Sequence, residues 1–138
     1  MVHALKEAWR AARAEVLDIR PLVGAPQVIV RDRRGRHWAC GGLHWDGGDS
    51  EGHPEAEEAV MRVVAEGRFK IESAAHFDWI DEYESANELI ESVEEDWASR
   101  GMGEDTALRL AQSLADAGPG AVPFIRQPIG VRLLRKIQ

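Results

Sequence analysis

Eleven residues in the middle of the chain repeat with a period of two. Phe69, Ile71, Ser73, Ala75, Phe77 and Trp79 fall on one side, and Lys70, Glu72, Ala74, His76 and Asp78 on the other. Successive side chains of a strand point to opposite faces, whereas a helix needs a 3.6-residue period. A chain containing so long a strand must build a sheet around it, because an isolated strand cannot satisfy its own backbone groups.

The flanking segments supply the rest. Gln27-Val28-Ile29-Val30-Arg31 reads as a strand, Asp32-Arg33-Arg34-Gly35 as a turn, and Arg36 to His44 as the returning strand of a hairpin. Ala4 to Arg13 reads as a helix with Ala4, Leu5, Ala8, Trp9 and Ala12 on one stripe, running almost directly into the strand Glu15 to Leu22. Pro54 opens a second helix that buries Ala56, Ala59, Val60, Val63 and Val64, with Gly67 as its C-terminal cap. Ser85 and Glu88 form a capping box for a third helix, which places Ala86, Leu89, Ile90, Val93 and Trp97 on one face. Thr106 to Ala117 gives a fourth helix, and Val122 to Ile137 a final strand. Pro123 and Pro128 within that strand argue for a sheet edge or a bulge. The expected fold is α+β in a single domain, 1–138. Its sheet is mixed and partly antiparallel, of about five strands, with helices mainly on one face.

With 44% hydrophobic and 30% charged residues, the 138-residue chain has the means to bury a core. No apolar run reaches the roughly 20 residues of a membrane helix. No leader is evident and Cys40 is the lone cysteine, so a cytoplasmic setting without disulfides is expected. The net charge of −7 is uneven, with 19 acidic and 4 basic residues between Gly41 and Asp105. That excludes nucleic acid as a partner of the middle of the chain. Arg31, Arg33, Arg34 and Arg36 cluster at the hairpin tip and read as a solvated turn.

Candidate chemistry is sparse. His37, Cys40, His44 and His53, with Asp46 and Asp49, raise zinc, but on a regular strand Cys40 and His44 lie about 13 Å apart at ~3.3 Å per residue. Zinc holds its ligands within about 2.3 Å, so only a sharp bulge at Gly41-Gly42 would unite them, and no metal is expected. His76 and Asp78 share a strand face, and His44 stands near Asp46; either pair is a candidate for acid–base work. No nucleophile, phosphate loop or dinucleotide loop accompanies them. Trp38, Trp45, Trp79 and Tyr83 are candidates for a ligand or partner surface. The acidic run from Glu84 to Asp96 is a candidate face for a basic protein partner.

Glu7-Ala8-Trp9-Arg10 followed by Glu15-Val16-Leu17-Asp18-Ile19-Arg20-Pro21-Leu22 resembles the middle of bacterial class I S-adenosylmethionine-dependent methyltransferases. Phe77-Asp78-Trp79, Tyr83-Glu84-Ser85, Leu89-Ile90, Glu95-Asp96-Trp97 and the closing Ile129-Gly130-Val131-Arg132-Leu133-Leu134-Arg135-Lys136 resemble that family's C-terminal half. Ala11-Ala12-Arg13-Ala14 stands where the family has a Pro-Gly turn. The resemblance implies that the cofactor-binding half is missing, so no cofactor and no cofactor-binding residue is expected. It also implies an open sheet edge where the missing strands would pair, and hence a homodimer. The expected function is a non-catalytic, methyltransferase-like domain that binds a small ligand or a protein partner. The alternatives are a small His/Asp enzyme and an acidic interaction module.

Overall fold

Hairpin, helix-cap and turn signals become the elements they predict. The computed structural model describes residues 2–22, 24–45, 54–97 and 100–138. In chain order these form α1 (Val2–Ala11), β1 (Glu15–Pro21), β2 (Gln27–Arg31), β3 (His37–Gly42), β4 (His44–Trp45), α2 (Pro54–Ala65), β5 (Phe69–Glu82), α3 (Ala86–Asp96), β6 (Arg100–Gly101), α4 (Glu104–Ala117) and β7 (Val122–Lys136). The fold is α+β, and every ladder with a resolved register is antiparallel. Among the described residues, no helix is long and apolar enough to cross a membrane.

The chain divides into two compact units, and β5 and β7 each contribute to both. The first unit holds 1–23, 52–77 and 128–138. Here β1 pairs with the second half of β7, from Glu15↔Arg135 to Pro21↔Ile129. Val16 and Leu134 point toward α1 and α2, and with Leu5, Ala59, Val60, Val63 and Phe69 they make the unit's core. Trp9 closes this core under two cations, Arg68 at 5.1 Å and Lys136 at 4.7 Å from the ring centre. The three- and four-residue spacing of Leu5 with Trp9, and of Ala56, Val60 and Val63, is what turns these helices onto the sheet.

The second unit holds 24–51 and 78–127. Here β2 lies between β3 and the first half of β7. Asp32 builds the hairpin turn: its carboxylate accepts from the backbone N–H of Arg34 and Arg36, both at 2.9 Å, and from Arg36 Nε at 2.7 Å. Burial pushes the Asp32 carboxyl up, but these hydrogen bonds outweigh it and hold it below the usual carboxylate range. The register of β2 on β3 skips Cys40, which bulges into the core with Val28, Val30, Leu43, Leu89, Val93, Leu110 and Ile125. Next to it Gly41 has φ +131°, and a Cβ there would lie 2.6 Å from Thr106 Oγ1, so α4 approaches as closely as glycine allows. Ser85 caps α3 through Glu88 N at 3.1 Å, while the Glu88 carboxylate accepts from Glu84 N.

Two expectations are corrected. The returning hairpin strand does not run unbroken to His44: β3 ends at Gly42, and His44–Trp45 forms a separate short ladder with β6. Nor do Pro123 and Pro128 put β7 at an edge, since it pairs with β1, β2 and β5. Pro128 lies between the β1 and β2 ladders, and its carbonyl accepts from Leu22 N just past the end of β1, so its missing N–H falls at a ladder end. The carbonyl of Pro123 receives Tyr83 N just past the end of β5, so its missing N–H also falls at a ladder end.

Candidate functional site

Burial along β1 alternates. Val16, Asp18 and Arg20 are partly buried on the helix side, whereas Leu17 and Ile19 are 58% and 57% exposed on the other. The backbone is as revealing. Leu22 N donates to Pro128 O at 2.9 Å and Lys136 N to Ala14 O at 2.7 Å. In an antiparallel ladder alternate residues exchange both bonds with the neighbouring strand, so the even-numbered residues of β1 face β7. Leu17 and Ile19 therefore turn N–H and C=O away from β7, and among the described residues no strand meets them.

Beside this open edge lies a groove of about 420 Å³ lined by Leu5, Val16, Ile19, Arg20, Pro21 and Ala56, among others. A compact ion network borders it. Asp18 accepts from Arg20 Nε at 3.1 Å and Nη2 at 2.5 Å, and Arg132 Nε lies 3.8 Å from the same carboxylate. Arg132 also grips Glu57 with both terminal nitrogens. That grip holds the Glu57 carboxyl below its ordinary range, against a smaller upward push from burial. Two guanidinium and two carboxylate groups leave the network neutral. The side chains of Asp18 and Arg20 are each only 13% exposed, and Arg20 Nη1 is buried without an acceptor. A buried donor left unpaired costs free energy that an incoming acceptor would recover.

The residues singled out by sequence separate. Trp38 is half-buried against the core of the second unit, and Tyr83 packs there too, with its hydroxyl 2.9 Å from Ser92 Oγ. Each packs against this core while keeping part of its surface exposed. Trp79 is 52% exposed on β5. His76 and Asp78 are exposed on the same strand, and neither makes a side-chain hydrogen bond or ion pair among the described residues. His44 forms one wall of a groove with Ile90, Val93, Glu94, Arg100 and Met102. Asp46, its proposed partner, and the side chain of Trp45 lie outside the described residues, as do His53 and Asp49. His37 packs edge-on to Phe124, with ring centres 5.5 Å apart. Cys40 Sγ lies 3.6 Å from Ser113 Oγ, and burial pushes its thiol up. Among the described residues, no three metal-ligating side chains come together. The helix from Ala86 to Asp96 exposes Glu88, Glu91, Glu94, Glu95 and Asp96 as a solvated acidic face.

Sequence reading passed over Leu17, Ile19 and Arg20 as site residues. Their signal was present in Val16-Leu17-Asp18-Ile19-Arg20, where one face is apolar and the other mixes a valine with two opposite charges. No family model matches the chain, and neither the curated proteins nor the solved structures contain a match.

Proposed function

We propose that this chain is a non-catalytic, methyltransferase-like protein-interaction module that receives an extended segment of a partner along β1. The observation that carries this reading is the outward backbone of Leu17 and Ile19 beside the groove. A segment laid there adds a strand to the sheet and gains main-chain hydrogen bonds. Its side chains meet Leu17 and Ile19 on one face and Leu5, Val16 and Ala56 on the other, so the segment is apolar on both faces. A neutral ion network favours a neutral acceptor for Arg20, such as a peptide carbonyl, over an added carboxylate. The methyltransferase likeness is one of ancestry, and no reaction follows from it. Its setting is cytoplasmic, where the buried thiol of Cys40 stays reduced.

The test is an NMR titration of the chain with synthetic octapeptides, either apolar throughout or apolar only at alternate positions. The fully apolar peptide is expected to shift the amides of residues 15–21. Ile19→Pro removes one outward N–H without touching the β7 ladder and should weaken binding roughly fivefold. Millimolar peptide that leaves these amides unmoved would contradict the reading.

A further inference from the structure

The strand β5 is exposed over nine consecutive residues, 72–80. Phe77, Trp79 and Ile80 are 47%, 52% and 47% exposed. One edge of β5 belongs to β7, and among the described residues no strand meets the other. Proteins usually blunt such an edge with proline, glycine bulges or brevity. Here Phe69–Glu82 is 14 residues long and contains neither proline nor glycine.

We propose that β5 pairs antiparallel with β5 of a second copy of this chain, about a twofold axis through Phe77. Symmetry limits the choice. A twofold between antiparallel strands runs perpendicular to the sheet, so one residue must lie opposite its own copy. Every other pair then has positions summing to twice that number. Centring on Phe77 sets His76 opposite Asp78, twice by symmetry. It also sets Ala75 opposite Trp79 and Ala74 opposite Ile80, so a small side chain faces each large one. The neighbouring registers lose this match. Centring on Asp78 sets two aspartates against each other, and centring on His76 puts Glu72 opposite Ile80. Centring on Trp79 puts Phe77 opposite Asp81, and centring on Ala75 puts Glu72 opposite Asp78. Like charges directly opposite are unfavourable, while opposite charges and aromatic pairs are favourable. Only the Phe77 register therefore sets an imidazole against a carboxylate and a small side chain against each large one across residues 74–80; its one like-charge pair, Glu72 opposite Glu82, falls outside that span near the strand ends. This interface needs β5 alone and is independent of the β1 groove.

The test takes the whole chain at tens of micromolar, with light scattering for stoichiometry. Single cysteines then report the register under mild oxidation. Cys40 is buried, so a cross-link reports the introduced thiol. Wild type is expected to be a dimer. Phe77→Cys should form a disulfide-linked dimer, and Ser73→Cys, set opposite Asp81, should not. Phe77→Asp, at a half-exposed position, should stay folded by circular dichroism and raise the dimer dissociation constant at least about tenfold. A monomeric wild type would overturn the proposal. So would a dimer cross-linked through Ser73→Cys but not Phe77→Cys, or a dimer broken by Leu17→Asp and untouched by Phe77→Asp. A monomeric chain that still binds peptide at β1 would leave the interaction reading standing while ending this one.

Discussion

Two strands with similar sequences meet opposite fates. Val28, Ile29 and Val30 of β2 are all buried, whereas Leu17 and Ile19 of β1 are more than half exposed. Both strands pair with β7, and both carry consecutive apolar residues. The difference is lateral. In the second unit β3 closes the far side of β2 and α4 packs over both strands. In the first unit nothing among the described residues closes the far side of β1, and α1 and α2 serve only the face of Val16. Apolar character therefore marks a core where the neighbours complete the layer and an interaction surface where they do not.

That contrast can be broken by substitution. The largest effect is expected in the sealed unit, where Leu110→Ala should cost about 2–5 kcal/mol in urea unfolding. Gly41→Ala should cost roughly 1–3 kcal/mol, because alanine is strained at φ +131° and its Cβ collides with Thr106. Ser85→Ala removes the side-chain cap of α3 and should cost about 1 kcal/mol. Acid adds a further test. The Asp32 carboxyl titrates below its unfolded value, so its contribution is complete above the unfolded pKa of about 4 and is lost as pH falls through the folded value. Asp32→Asn should flatten the stability profile in that acid range. The smallest effect is at the open edge, where Leu17→Thr should change stability by no more than about 0.5 kcal/mol. A loss at Leu17 comparable with that at Leu110 would erase the distinction between the units.

Local chemistry made much of the fold legible. The Asp32–Gly35 turn, the Ser85–Glu88 capping box and the proline at the start of α2 act within a few residues, and each element formed where those residues stand. Pro123 and Pro128 misled because their cost depends on which neighbour would have received the missing N–H, a property of ladders far away in sequence. Leu17 and Ile19 were opaque for the same reason: alternation tells which residues share a face, and only tertiary pairing tells whether that face is covered. Trp38 and Tyr83 make the same point, since only the tertiary packing shows how much of each aromatic ring is taken up by the core.

Amide hydrogen exchange, residue by residue along β1, tests the open edge most directly. The N–H groups of Val16, Asp18 and Arg20, which face β7, should be protected, and those of Leu17 and Ile19 should exchange close to the rate of an unstructured chain. Equal protection of both sets in the free protein would mean that β1 already has a neighbour, and the open-edge account would fail.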